Sequence, residues 1–310
     1  MFRFIAWRVA QFPLILAIIY LVTFLLVWVA PGDPFQRGDR VIDPTTLQAI
    51  KEKMHADKWY KFLTYYPKQI IVHQDFGFSF NYEEWTVNDI LSSSLPVSIT
   101  LGLFALTIAT GVGVFVGTLA AVRRGGPFDW FSLGVSLVGI SVPSFVTAAL
   151  LLIFFSAKLH WFPVGGWGSF RDLLLPGLAL ALLPMAYIAR LTRVAMIDVL
   201  GNDYVRTARA KGLSRTVVIW KHCLRNAFLP VLSYLGPAAA VTLTGSFVVE
   251  KVFNIPGLGQ HFVNAVLNRD QTLVLGTVMV YSLFVLVFNL LVDIGYAFVD
   301  PRIEVGAPAA

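Results

Sequence analysis

Six long uncharged runs constrain the fold of this chain more than any other feature of its sequence. An α-helix needs roughly 20 apolar residues, with a lower limit of about 17, to cross a bilayer. All six runs reach that limit. The runs cover residues 9–32, 90–122, 130–157, 173–189, 226–249 and 271–292. Six such runs in a chain of 310 residues predict an all-α membrane protein with six transmembrane helices.

The composition excludes an ordinary soluble protein. The chain is 57% hydrophobic and 14% charged, with a mean hydropathy of +0.71, which leaves too little polar surface for a soluble domain. The second run exceeds one span, so we expect its helix to begin near Pro96, whereas the fourth run ends at Arg190. The first run is longer than the apolar core of a signal peptide, so we expect it to be retained as a helix.

The basic residues predict how the helices are oriented. Loops rich in Lys and Arg tend to stay in the cytoplasm, and the loop 190–226 carries eight such residues. This places both termini in the cytoplasm, and we read the net charge of +6 as a sign of topology rather than of nucleic-acid binding. The predicted parts are a transmembrane helix (1–32), an extracytoplasmic segment (33–89), a five-helix core (90–300) and a cytoplasmic tail (301–310).

The loop between the fourth and fifth runs has an ordered pattern. Residues 203–231 read DYVRTARAKGLSRTVVIWKHCLRNAFLPV. We expect a helix over 203–211, a left-handed cap at Gly212, and a second helix over 215–225 with Ser214 as its N-cap. The pattern therefore predicts two short helices joined by a tight corner.

Small and basic residues suit this corner to a protein partner. Ala208 and Ala210 would let another protein approach the first helix closely, and the surrounding cations suit an acidic rim. The alternative is a basic loop that merely satisfies the rule for cytoplasmic loops.

The motifs of enzymes and metal proteins are missing from the sequence. There is no G-x-x-x-x-G-K-[ST] phosphate loop, no H-E-x-x-H and no G-x-S-x-G, so we expect no ATP hydrolysis and no catalysis by this chain. Its single cysteine, Cys223, and its five scattered histidines offer no metal-ligand spacing. We therefore expect a non-catalytic chain that binds no cofactor itself.

Several stretches carry a resemblance to a known family. The segments YVRTARAKGL and LRNAFLPV resemble the EAA loop of ABC importer permeases, with Arg206 and Thr207 where Glu and Ala usually stand. This departure is typical of the oligopeptide and dipeptide branch, and the chain is most similar to its B-type oligopeptide permease subunits. Further matching stretches are 30–34, 75–77, 87–89, 143–145, 165–167, 255–259, 268–270 and 300–302.

The resemblance implies a complete machine around this chain. It implies the type I ABC importer permease fold in the bacterial cytoplasmic membrane, a second homologous permease, two ATPase subunits that bind ATP and Mg²⁺, and an extracytoplasmic peptide-binding protein. Membrane lipid is the remaining partner, and no nucleic acid is implied. The residues implied in coupling to an ATPase are Asp203, Arg206, Thr207, Ala208, Ala210, Lys211, Gly212, Leu213 and Ser214.

Two further sets of residues are candidates for the substrate path and for docking. Small polar residues of the last two runs could line a path or serve close helix packing; they are Ser233, Thr242, Thr244, Ser246 and Asn289. Aromatic residues and a Gly/Pro turn on the outer side could dock the binding protein or form a cap on the membrane domain. These are Trp59, Tyr65, Asn254, Pro256 and Gly257.

Other functions remain open at this stage. The cargo of the importer could be an oligopeptide, a dipeptide, a nickel chelate or a glycan-derived peptide. A self-sufficient channel or secondary carrier would transport without an ATPase. A membrane enzyme or scaffold would need a catalytic polar group deep in a span, which the uncharged runs do not offer.

Overall fold

The computed structural model describes residues 2–30, 58–80, 82 and 85–299, with the isolated positions 45 and 48. The predicted tail 301–310 and most of residues 33–57 lie outside these described residues. The helices that follow are numbered in chain order, with two π-helical turns. They are α1 (Phe2–Val29), α2 (Trp59–His73), α3 (Val87–Val122), α4 (Pro127–Ser141), α5 (Ser144–Leu151), π1 (Leu152–Lys158), α6 (Phe170–Leu200), α7 (Asp203–Ala210), α8 (Arg215–Val217), π2 (Val218–Cys223), α9 (Leu224–Ala227), α10 (Leu229–Val252), α11 (Leu258–Leu267) and α12 (Gln271–Val299).

Within the described part of the chain, five helices are long and apolar enough to cross a membrane as single rods: α1, α3, α6, α10 and α12. The third uncharged run is instead a pair of helices, α4 and α5 with π1, bent by 106°. Val142 and Pro143 both leave the helical region, with ψ of 122° and 143°. A residue before proline avoids the α region and proline lacks the N–H of a helix interior. The predicted six spans are therefore present only if this bent pair counts as one.

The start of α3 corrects a prediction. The helix begins at Val87 and runs through Pro96, where we expected it to begin. Thr86 Oγ1 donates to Asp89 Oδ2 at 2.6 Å, and the Asp89 N–H donates back to Thr86 Oγ1 at 3.2 Å. This reciprocal cap satisfies helix N–H groups and so fixes the beginning of the helix two turns earlier.

The end of α6 corrects a second prediction. The helix continues past Arg190 to Leu200, so the first eleven residues of the predicted loop 190–226 are helical. Beyond Arg190 this extension carries two charged residues, Arg193 and Asp198, among mostly apolar ones, and Met196 is fully buried. At 1.5 Å per residue, its 31 residues make α6 about 46 Å long.

The chain divides into two compact units, each assembled from separated pieces. In the unit of residues 1–9, 99–255 and 285–310, α6 packs against α4, α5 and α10. Gly113 and Gly117 let α3 approach α6 closely, since a Cβ on Gly113 would lie 2.9 Å from Ile188. Residues 10–98 and 256–284 form the second unit.

Aromatic rings build much of the core of the second unit. Phe62 and Tyr66 of α2 are buried and pack with Tyr20 and Phe24 of α1. The Tyr66 hydroxyl donates to the backbone oxygen of Thr272 at 2.8 Å, and burial holds the pKa of Tyr66 well above its usual value. The phenol therefore acts as a permanent donor that ties α2 to the start of α12.

Candidate functional site

The structure forms the two helices and the corner that the sequence predicts between α6 and α10. We call residues 201–227 the basic element. Helix α7 covers Asp203–Ala210, and Gly212 follows it with φ +79°, which confirms the predicted left-handed turn. Ser214 is the N-cap residue of α8, although its side chain makes no capping bond. Helical structure then continues to Ala227 through the π-helical turn π2.

One face of the basic element packs against its own chain. Val205 and Ala208 of α7 are buried against Met196, Cys223 and Ala227. Ala208 thus packs against its own chain, and its predicted contact with a partner protein stays a prediction. Ala210, by contrast, is exposed. Burial also raises the pKa of the Cys223 thiol, which leaves it a packed rather than a reactive cysteine.

The opposite face of the basic element is uncovered and cationic. The one acidic residue of α7, Asp203, also lies on this face, 3.5 Å from Arg206 in an exposed ion pair. Leu213 adds an apolar side chain that is 40% exposed. Such a face can bind an acidic rim around an apolar groove. The exposed residues of the predicted set are Asp203, Arg206, Thr207, Ala210, Lys211, Gly212, Leu213 and Ser214, and Arg209 and Arg215 join them.

Two contacts brace the basic element, one within it and one to α3. Asn226 Nδ2 donates to the Tyr204 hydroxyl at 2.9 Å, which joins α7 to α9. The Trp220 ring of π2 stacks on Phe115 of α3, with centroids 6.0 Å apart. Because the anchors lie on several elements, α7 is presented on a braced support rather than on a loose loop.

The sequence reasoning missed an ion pair near the basic element. Asp129, the acidic residue in the first turn of α4, is bound by both oxygens to Arg193 of α6. Arg193 lies in the extension of α6 that was assigned to a loop, so no pairing between helices was expected. An acidic residue two positions after Pro127 and directly before an apolar run is the signal that could have found it.

The predicted substrate-path residues separate into two groups. Ser233 and Thr244 are exposed on one stripe of α10, together with Pro237, Val241 and Val248. Thr242 and Ser246 are buried, and their hydroxyls donate to backbone oxygens of their own helix at 2.7 and 2.6 Å. Thr242 and Ser246 thus serve packing within the chain.

Asn289 of α12 has a packing role as well. Its Nδ2 donates to the Val285 carbonyl at 3.0 Å, and its side chain lies where a Cβ on Gly236 would be. The Gly-Pro step of α10 therefore lets α12 approach closely.

The predicted docking residues also separate by exposure. Trp59 is exposed and Tyr65 is half-buried. Asn254 has φ +49° and is exposed, and Pro256 is exposed as well. Gly257 is buried as the N-cap residue of α11, where the Leu258 N–H donates to Ser98 Oγ at 2.9 Å. Its place at the start of α11 makes it structural.

A buried carboxylate that the sequence analysis did not single out organises the second unit. Asp270 precedes α12 and accepts hydrogen bonds from the Leu273 N–H at 3.1 Å and from Thr272 Oγ1 at 3.0 Å. It also accepts a short bond from Ser79 Oγ. An Asp directly before an apolar run is a common N-cap signal.

Among the residues that the structure describes, no three His, Cys, Asp or Glu side chains are grouped to hold a metal ion. His261 of the second unit is half-buried and packs edge-on against Tyr82 with ring centroids 5.3 Å apart. Burial lowers the pKa of His261, which favours its neutral form.

Comparison with known proteins agrees with this architecture. The MetNI methionine ABC transporter, solved in inward-facing conformations, is 17% identical with a TM-score of 0.51, covering 68% of this chain and 94% of that chain. A second crystal form of MetNI gives 18% identity and a TM-score of 0.50 over the same shares. At this identity the likeness shows the fold alone, and it confirms the predicted type I ABC importer permease fold.

Full-length relatives are much more similar in sequence. The oligopeptide transport system permease protein OppB of Escherichia coli K12 is 41% identical over 308 residues, which is 98% of this chain and all of that protein. OppB of Haemophilus influenzae is 42% identical over 307 residues, with 98% and 100% covered. The dipeptide transport system permease protein DppB of Bacillus subtilis is 40% identical over 304 residues, with 98% of both chains covered.

Two family models cover most of the sequence. The model of the binding-protein-dependent transport system inner membrane component matches residues 113–305. Residues 1–102 match the N-terminal model of the membrane components of these systems. With the relatives above, these matches confirm the predicted oligopeptide and dipeptide branch. This chain therefore belongs to the family of inner-membrane permease components of binding-protein-dependent transport systems.

Proposed function

We propose that this chain is one of two permease subunits in an ATP-driven importer of peptides, and that its basic element docks an ATPase subunit. The observation that carries the proposal is the two-faced build of α7. Val205 and Ala208 hold one face to the chain, whereas Arg206, Lys211 and Leu213 leave the other face open. A face with this charge and this apolar centre suits an acid-rimmed groove on a soluble partner.

The proposed cargo is a peptide. The near full-length relatives are named for oligopeptide and dipeptide transport, which favours peptides over nickel chelates or glycan-derived peptides. A separate binding protein would deliver the peptide, as the family description implies. The permease would then supply passage rather than affinity.

The proposed orientation places the basic element and both termini in the cytoplasm. Cytoplasmic loops of membrane proteins are enriched in Lys and Arg, and the exposed face of the basic element is rich in both. ATP and Mg²⁺ are then bound by the ATPase subunits, because this sequence has no phosphate-binding loop of its own. The chain itself is non-catalytic.

The proposed wall of the peptide path is the exposed stripe of α10. Ser233 and Thr244 offer hydroxyls along this stripe, and their own helix carbonyls already accept one bond from each. Hydroxyls satisfied in this way present small, weakly polar surface, which suits passage of varied peptides. A second permease would supply the facing wall.

Reconstitution of the complete assembly in liposomes tests the proposal. The chain, a second permease, two ATPases and the binding protein are expected to take up labelled peptide only when ATP and Mg²⁺ are supplied on the side of the basic element. This chain alone in liposomes is expected to take up none. Uptake by the chain alone would instead identify a channel or secondary carrier.

A further inference from the structure

A buried ion pair joins the first turn of α4 to the extension of α6. Arg193 Nε lies 2.5 Å from Asp129 Oδ1, and Arg193 Nη2 lies 2.8 Å from Asp129 Oδ2. The Gly125 N–H also donates to Oδ2 at 2.9 Å. The Asp129 side chain is only 3% exposed and that of Arg193 19%. A bidentate pair of this kind fixes direction as well as distance.

Arg193 stands on the helix that leads into the basic element. It lies about two turns before α6 ends at Leu200, and only Gly201 and Asn202 separate that end from α7. Val205 and Ala208 also pack α7 against Met196 of α6. A displacement of α7 therefore reaches Arg193 through a continuous helix and a packed core.

Asp129 stands on the helix that leads to the bend at Pro143. Helix α4 runs antiparallel along α6, because Gly139 meets Leu182 and Ala186 near the far end of α4, where a Cβ would lie 3.1 Å from the Ala186 Cβ. The hydrogen bond from the Gly125 N–H also ties Asp129 to the turn between α3 and α4, where Gly125 has φ +78°. Asp129 thus holds both the rod α4 and the turn that precedes it.

We propose that Asp129 and Arg193 are positioning residues for transport: they make α4 and the bent pair α4–α5 move with α6 when the ATPase moves the basic element. This inference rests on the proposed function of the basic element. Small residues, Gly139 and Ala186, meet where α4 packs on α6, whereas the two-pronged ion pair fixes both direction and distance. Peptide passage therefore stays coupled to ATP hydrolysis only while both bonds of this ion pair are intact.

The test compares variants of the complete transporter in liposomes, measuring peptide uptake and ATP hydrolysis in the same sample. Arg193→Lys keeps the positive charge but cannot form the two-pronged bond to Asp129. It is expected to lower the peptides taken up per ATP hydrolysed by about tenfold, within the usual range of coupling free energies. ATP hydrolysis and the amount of assembled complex should stay near those of the unaltered transporter. Asp129→Asn, which keeps the shape of the side chain, should act in the same direction.

A second Arg–Asp pair of the same unit supplies the matched control. Arg8 Nη2 lies 3.1 Å from Asp293 Oδ2, and both side chains are considerably more exposed. Arg8→Lys is expected to leave the ratio of peptide to ATP unchanged. The charge exchange Asp129→Arg with Arg193→Asp is expected to recover part of the ratio, because it rebuilds the ion pair.

The outcomes separate the two proposals. If the unaltered transporter takes up no peptide with ATP, the proposed function is wrong, and the inference fails with it. If that transporter works and Arg193→Lys keeps its ratio, the inference alone is wrong. If uptake, hydrolysis and assembled complex all fall in parallel in Arg193→Lys and Asp129→Asn, the pair is merely structural, which also overturns the inference.

Discussion

The basic element and α2 show two different ways of holding a helix on this protein. Helix α7 of the basic element is held by two short side chains, Val205 and Ala208, that let the helix approach its neighbours closely. Helix α2 is held by large rings, above all Phe62 and Tyr66. A large ring buries several times the area of an alanine. Close packing of small residues instead leaves the outer face of α7 free for charges and for a partner.

The polar groups near the two helices also differ in how far they are buried. The charges of α7 are exposed, so they add little to stability and remain available for binding. The carboxylate beside the second unit's core, Asp270, is fully buried and accepts bonds from three donors. Stability is therefore concentrated in the second unit's network, and contact chemistry in the basic element.

The largest expected effect on stability is the loss of an aromatic ring from α2. Phe62→Ala should lower the free energy of unfolding by about 3–5 kcal/mol, because it removes a buried ring and leaves a cavity. Thermal unfolding of the detergent-purified protein measures the change. Tyr60→Ala is the control, since Tyr60 is 48% exposed and should change the stability little. Equal effects of the two substitutions would refute the packing described for α2.

The next largest effect is expected at Asp270. Asp270→Asn should cost about 2 kcal/mol, since a buried carboxylate with several donors loses charge-assisted hydrogen bonds. Asp172→Asn is the matched control at the start of α6, where the carboxylate accepts hydrogen bonds from the N–H and the hydroxyl of the exposed Ser169. Denaturant unfolding of both variants gives the comparison, and a larger loss for Asp172→Asn would contradict the account.

A smaller effect on stability is expected in the corner of the basic element, with a large effect on transport. Gly212 has φ +79°, so Gly212→Val should cost about 1–2 kcal/mol of backbone strain. We expect the variant to insert in the membrane but to lose peptide uptake. Gly201→Val is the control, because Gly201 has φ −79° and tolerates a side chain. Normal uptake by the Gly212 variant at normal expression would count against the proposed coupling.

The smallest effect is a dependence of stability on pH. The pKa of His261 is lowered in the folded protein by burial, so the unfolded chain binds the proton more readily than the folded one. The contribution of neutral His261 to stability is therefore complete above the unfolded pKa of about 6.5 and is lost as the pH falls towards the lowered value. The unfolding temperature should drop less between pH 7.5 and 5.5 in His261→Gln than in the unaltered protein.

The regular features of the spans and of the basic element could be predicted from the sequence. Uncharged runs of sufficient length marked the spans, and Gly212 marked the corner because few other residues accept its φ. The exposure of Arg206 and Lys211 followed from their charge. These predictions depend on local properties of the chain, which is why they needed no knowledge of neighbouring helices.

Features that depend on distant neighbours could not be predicted. Ala208 was assigned to a partner because its size alone does not say which protein approaches it. Arg190 was taken as the end of a span, although Arg193, three residues later, is compensated by Asp129 of another helix. Thr242 and Ser246 were expected in a path, but both side chains are buried inside the chain. Tertiary packing decides which side chains pair between helices and which way each side chain faces.

The central claim is that the open face of the basic element contacts the ATPase. A photo-reactive amino acid at Leu213, in the assembled transporter, tests it most directly, with the same label at Trp59 of α2 as the control. The account predicts an adduct with the ATPase subunit from position 213 and none from position 59. An assembly that hydrolyses ATP and yields no ATPase adduct from position 213 would contradict the account.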